Sequence, residues 1–416
     1  MKKLELVLII CMLIAPLIVK SQNYKTQPLS SEIKTISVNK NGDWLQPPFI
    51  NLHSGDFIRI NFDRLGENSF NRLRYKLVHC NADWTPSTLS YIEYLDGFND
   101  NYIEDYASSV NTTVEYTNFG INIPNQDLSL KVSGNYAVIV YEEDNQDNIL
   151  LNACFSVIDN VISISGGMSS NTLIDSHKEH HQISFIINHQ NISIKDPLEE
   201  LKVFVRQNNR LDNQKVLVKP TYIQPNRLVY EQNKDLIFEA GNEYRRFESV
   251  SYRYNGLNID RTEYVRPYNY TYIIPDQIRA YKRYIYDQDQ NGRFYIRNAE
   301  ASDNDIDADY FYTKFSLSAE DPILNRIYVT GDFCYNIFGE DNLMQYDYEQ
   351  KEYYTTILLK QGAYNYLYLA QDGDKYSTAP MEGNYYETEN EYQIFVYYRP
   401  IGERSDKLIG FLNIAK

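Results

Sequence analysis

Hydrophobic and polar residues alternate along most of this chain. In Phe57-Ile58-Arg59-Ile60-Asn61-Phe62, Ile58, Ile60 and Phe62 share one face and Arg59 and Asn61 the other. That period of two marks a half-buried β-strand. Similar runs occur at 74–79, 136–141, 149–157, 183–188, 202–207, 326–330, 353–359, 364–369, 393–399 and 408–414. Turn formers separate them, among them Ser54-Gly55-Asp56, Ser133-Gly134-Asn135, Asn291-Gly292 and Gln361-Gly362. No segment keeps a 3.6-residue apolar period over three or four turns. The pattern predicts an all-β protein built of tandem immunoglobulin-like or early-set β-sandwich domains.

Composition agrees with this, since 39 Tyr and 18 Phe suit a pleated, half-buried surface. The first 22 residues stand apart. Met1-Lys2-Lys3 precedes an apolar run from Leu4 to Val19, then Ser21 and Gln22, the layout of a secretory signal peptide. The run is short for a membrane span and contains Pro16. Cys11 lacks the small residues before it that a lipoprotein anchor needs. No later stretch is long and apolar enough to span a bilayer, so direct membrane insertion is not expected.

The roughly 395 residues that remain exceed one hydrophobic core. Asp159-Asn160 closes a dense block of strands, and Glu300 to Asp309 is acidic and almost without apolar side chains. Those breaks predict domains at 23–158, 159–300 and 301–416. The formal charge of -16 becomes about -18 once Lys2, Lys3, Lys20 and Glu5 are removed. A surface so acidic repels nucleic acid and anionic lipid. Of the cysteines, Cys80, Cys154 and Cys334 survive processing. Cys80 and Cys154 could pair, and free buried thiols acting as small hydrophobes are the alternative.

Candidate chemistry is sparse. Asp287-Gln288-Asp289-Gln290-Asn291-Gly292 opens like a calcium loop, with Asp287, Asp289 and Asn291 as oxygen ligands. However, Asn298 stands where the closing Glu belongs, and an Asn-Gly hairpin turn explains the same residues. His177, His180 and His181 cluster, yet without His-Glu-x-x-His, so a loop leading into a strand accounts for them. There is no Gly-x-Ser-x-Gly elbow and no phosphate-binding glycine loop, and His79 and Cys80 are strand neighbours on opposite faces. No catalytic set emerges, and no cofactor is expected.

The most specific local feature is His79-Cys80-Asn81-Ala82-Asp83-Trp84-Thr85-Pro86-Ser87, followed by Glu93-Tyr94-Leu95-Asp96-Gly97-Phe98. Cys80, Asp83, Trp84, Tyr94, Asp96, Gly97 and Phe98 form a candidate binding loop in which Trp84 either stacks on a sugar ring or packs as a lid. These segments resemble the first domain of the type IX secretion system plug proteins of Bacteroidetes. The resemblance continues through Tyr116-Thr117-Asn118-Phe119, Ile123-Pro124-Asn125 and Ser133-Gly134-Asn135-Tyr136. It extends to Val205–Asn213, Phe238–Tyr244, Asp287–Arg293 and Ala308-Asp309-Tyr310. It implies a non-enzymatic periplasmic protein that seats against the inner mouth of an outer-membrane translocon β-barrel and seals it between exports. It carries over no catalytic residues.

The last third, with Val329-Thr330-Gly331-Asp332-Phe333, also looks like the early-set sandwich of starch- and glycogen-binding modules. The Trp that normally follows that turn is absent, and Tyr335, Ile337 and Phe338 stand there instead. The competing expectation is therefore a carbohydrate-binding envelope protein. For the plug, three stacked sandwiches are expected to make an elongated rigid body.

Overall fold

The structure, a computed structural model, describes residues 23–66 and 71–415. The expected signal peptide lies outside the described residues. The runs read as strands are strands, and the chain is all-β. Its helices among the described residues are single turns such as Tyr91–Tyr94 and Asn304–Asp307. The first sandwich faces a sheet of Ile33–Lys40, Ile58–Leu65, Tyr116–Ile123 and Asp105–Ser108 against one centred on Asn145–Ile158, Gly134–Glu142 and Leu73–Cys80. Their inner faces form one cluster in which Ile58, Ile60 and Phe62 meet Leu77, Val138 and Phe155.

The two remaining sandwiches are not consecutive in sequence. Leu201–Gln207 pairs with Glu391–Tyr398, which pairs with Lys407–Ala415. This sheet shares a core with His180–Asn188 and Arg227–Tyr230. The C-terminal strands thus complete the second sandwich. The third occupies the interval, with Tyr310–Ser318 and Glu352–Lys360 in one sheet and Arg245–Ser249 and Gly362–Asp372 in the other. Strand pairing and core clusters therefore run across the expected boundary at 300/301. The physical reason is that a strand pair shows in sequence which face it buries but not which distant strand completes its sheet.

The acidic stretch read as a domain break is a wedge between the first and third sandwiches. Each aspartate serves local backbone or a neighbour. Asp303 caps the helix turn by accepting from the Asp305 N–H, and Asp307 accepts from the Ser302 N–H. Asp309, fully buried, accepts from the N–H groups of Thr113 and Val114 in the first sandwich at 2.7 and 3.0 Å. Beside it, alternation turns Asp63 away from the first core, yet Asp63 is also fully buried. Lys360 Nζ lies 2.6 Å from its Oδ2, Tyr310 donates to the same oxygen at 2.6 Å, and Asn118 donates to Oδ1 at 2.7 Å.

The first and second sandwiches meet at an apolar patch of Phe49, Ile158, Phe204, Phe395, Tyr397 and Leu408. Between the second and third the chain crosses twice, near 240 and near 390, and Asn390 Nδ2 bonds Ala240 O at 2.8 Å across the two passages. Each sandwich thus touches both others, and the arrangement is a closed triangle in place of the expected linear stack.

Removing one partner of a buried ion pair strands the other charge, a loss on the order of 3–5 kcal/mol. Lys360→Met is expected to lower the unfolding free energy by that amount in urea titrations. The double change Asp63→Leu with Lys360→Met, which removes both charges, is expected to lose much less.

Candidate functional site

The signature segment His79–Ser87 is a tight loop, closed by Asn81 N–H to Thr85 O at 2.8 Å and Trp84 N–H to Asn81 O at 2.9 Å. Asp83 is exposed and accepts from the Thr85 N–H and hydroxyl at 3.1 and 2.6 Å. Its outer side docks on the second sandwich. The Ala82 N–H donates to buried Asp406 Oδ2 at 2.9 Å, and Arg399 donates to Asn81 Oδ1 at 2.6 Å. Lys202 Nζ also reaches Asp406 Oδ2 at 2.9 Å. Arg399 Nε makes an ion-pair contact with its Oδ1 at 2.8 Å, off the hydrogen-bond direction. Tyr397 donates to Asn135 Oδ1 at 2.8 Å. The segment that looked like a binding loop is largely an internal joint.

Its companions divide in the same way. Tyr94 is buried and donates to Leu77 O at 2.9 Å, and burial pushes its hydroxyl up to about 12. Gly97 sits at φ +107°, where a Cβ would come within 2.0 Å of Asp127 O, so only glycine fits. Asp96 and Phe98 are exposed. Trp84 packs with Tyr24, Cys80 and Cys154 as a half-buried lid over the sheet end. Cys80, Cys154 and Cys334 are free thiols, and burial pushes Cys80 up to about 12, so none is an activated nucleophile.

The calcium-loop candidates do not converge. Asp287 pairs with Arg246 at 2.5 Å. Asp289 accepts from the Asn291 N–H at 2.7 Å and from the Tyr244 N–H, and burial pushes its carboxyl up to about 7. Asn291 and Gly292 form the expected left-handed turn, but the residues before it are not a strand, so no hairpin follows. The histidines separate likewise: His177 bonds Ser170, His180 bonds Asp175, and His181 bonds Tyr392. No group of three His, Cys, Asp or Glu among the described residues is arranged to hold a metal ion.

What the sandwiches do enclose is a chamber of about 160 Å³ where all three meet. Both tryptophans, Trp44 and Trp84, line it, with Arg206, Asp332, Tyr335 and Asn291. Burial pushes Asp332 up to about 6. Asn291 Oδ1 is buried without a hydrogen-bond partner among the described residues. Of the sixteen non-glycine residues with positive φ among the described residues, six line this chamber: Trp84, Asn208, Asn209, Asn291, Tyr335 and Asn336. Asparagine tolerates that conformation, but for Trp84 and Tyr335 it costs about 1–2 kcal/mol each. Beside the chamber, and sharing Ser37, Asn39, Trp44 and Phe294 with it, runs an open groove of about 710 Å³ between the first and third sandwiches. Sequence reasoning passed over Trp44, Asp63 and Asp406. The only signal for Asp63 was an ionisable residue within a strand, and Asp406, in the loop before the last strand, had none.

Residues 33–159 match the model of the type 9 secretion system plug protein 1st domain. A crystal structure of a hypothetical protein from Parabacteroides merdae is 44% identical, covers 95% of this chain and 100% of its own, and superimposes with a TM-score of 0.92. No curated protein matches significantly. The chain belongs to the type IX secretion system plug protein family.

Membership gives the plug-family protein a type IX secretion-related role at the cell envelope. The family is a secretion plug domain and not a known enzyme family. No helix among the described residues is long and apolar enough to cross a membrane.

His79 lies inside the joint of this plug-family protein, 1% exposed, bonded to Ser87 Oγ and Ser133 O at 3.0 and 3.3 Å. Burial pushes its pKa from 6.5 down to about 4. The folded state therefore binds fewer protons than the unfolded one between these values. The His79 contribution is fully present above pH 6.5 and is lost as pH falls toward 4, amounting to roughly 3 kcal/mol. In His79→Gln, the difference between urea midpoints at pH 7 and pH 4.5 is expected to be smaller than in the unaltered protein.

Proposed function

We propose that the protein occludes the periplasmic mouth of the type IX outer-membrane translocation barrel when nothing is being exported. The observation that carries this reading, beside family membership, is the triangular body itself. Three sandwiches fixed by buried carboxylates at two joints and by paired chain passages at the third resist deformation, and stopping a wide aqueous pore requires a mass that keeps its shape. The task needs complementarity over more than about 1,000 Å² and no chemistry at a reacting centre. Exposed large side chains such as Phe98, Tyr281 and Ile285 supply contact area of the kind enriched at interfaces.

Tagged mature protein, incubated with detergent-solubilised outer membranes of its own organism, is expected to recover one very large barrel protein in near-stoichiometric amount. Recovery of no barrel under conditions that keep the translocon intact removes this function.

A further inference from the structure

The chamber and groove between the sandwiches have a chemistry that occlusion does not use. The groove wall carries six carboxamides, those of Asn39, Asn41, Asn61, Asn118, Asn122 and Asn304. At the end next to the chamber, Trp44 stacks on Tyr295 with ring centres 5.2 Å apart and planes 29° from parallel. Tyr295 is 37% exposed, so the stacked pair presents a rigid aromatic step on the groove floor. Trp44 lines both spaces.

Size and polarity narrow the ligand. A cavity of about 150 Å³ admits a benzene-sized ring, and the chamber, at about 160 Å³ and open on one side, takes the inner part of one bulkier hydroxylated ring. The groove, at about 710 Å³, is long enough for several rings. The chamber wall mixes aromatic faces with the polar side chains of Asn39, Asn208, Asn209 and Asp332, and a purely apolar guest would set those polar groups against hydrocarbon. A ring with hydroxyl groups on its edge and C–H groups on its faces meets both demands, donating to these acceptors while its face lies on indole. Of the five cations on the walls, Arg59, Arg293 and Lys360 are already paired with Asp105, Glu391 and Asp63. Lys25 and Arg206 then stand against Asp303, Asp305 and Asp332, and with a net charge of -16 an anionic chain gains no electrostatic advantage.

We infer that the groove and chamber together form a binding site for the end of a neutral oligosaccharide, its terminal ring in the chamber against Trp44 and Trp84. The following units lie along the asparagine-lined groove. This goes beyond the occlusion reading and stands without it. It also moves the sugar contact from the Trp84 loop alone to the junction of all three sandwiches.

The protein carries its own reporter, because its only two tryptophans both line the chamber. The mature protein is titrated with maltohexaose, cellohexaose, xylohexaose and chitohexaose to about 10 mM, weak millimolar affinity being the limit sought, while tryptophan emission is followed. At least one is expected to give a saturable change. Binding is expected to weaken about tenfold or more in Trp44→Ala, read from Trp84, or in Asn39→Ala, each with an unaltered melting temperature. No saturable change with any of the four overturns the proposal. So does a change that both variants retain in full, or a response to p-cresol without one to any sugar, which would assign the chamber to a partner's aromatic side chain. A variant that fails to melt like the parent is replaced in the test by the other, since Asn39 lies on the groove wall.

Discussion

A carboxylate removed from water must be surrounded by donors, or it takes up a proton. Asp63, Asp309 and Asp406 are fully buried, and each receives donors from a sandwich other than its own. Asp63 of the first sandwich is held by Lys360 and Tyr310 of the third. Asp309 of the third is held by backbone N–H groups of the first. Asp406 of the second is held by the Ala82 N–H of the first. Each acid also has donors from its own sandwich, but its set of donors is complete only when the neighbour is in place, so the requirement that neutralises them helps to fix the sandwiches against one another.

Adhesion and orientation are supplied differently at the different joints. Between the first and second sandwiches an apolar patch including Phe49, Phe395 and Leu408 removes surface from water, a force without direction. The hydrogen bonds around Asp406 and Asn135 add the direction. Between the first and third the polar groups dominate, with Lys360 also lying 4.1 Å over the Tyr116 ring. The third sandwich needs less adhesion to the second, because the chain enters and leaves it through adjacent passages that are themselves bonded.

The strands were legible because alternation is a local signal, and Ile58, Ile60 and Phe62 lie inward as the pattern requires. The partnership of Leu201–Gln207 with Glu391–Tyr398 was not, since both strands look alike whichever sheet they join. The stretch from Glu300 to Asp309 was misread for a related reason. A run of aspartates has the composition of a solvated linker, and only the fold shows Asp309 meeting the backbone at Thr113 and Val114. The signature around Trp84 was correctly singled out, but its purpose was hidden. The groups that explain it, Arg399 and Asp406, lie more than 300 positions away in sequence. Trp44 carried no local pattern at all and gains its meaning only from Tyr295 and the chamber.

Buried ion pairs are poor sources of net stability compared with apolar groups of the same size. Their presence at these joints is better explained by geometry. An apolar patch permits sliding, whereas Asp63 can meet Lys360, Tyr310 and Asn118 together in one relative placement of the two sandwiches. That placement also creates the space between them, because the chamber and groove are bounded by residues of different sandwiches and exist only when the joints are closed. Rigidity and the cavity are therefore one structural property. A body that holds its shape to fill a pore necessarily holds open the gap where its three parts fail to merge, and the left-handed turns at Trp84 and Tyr335 line that gap.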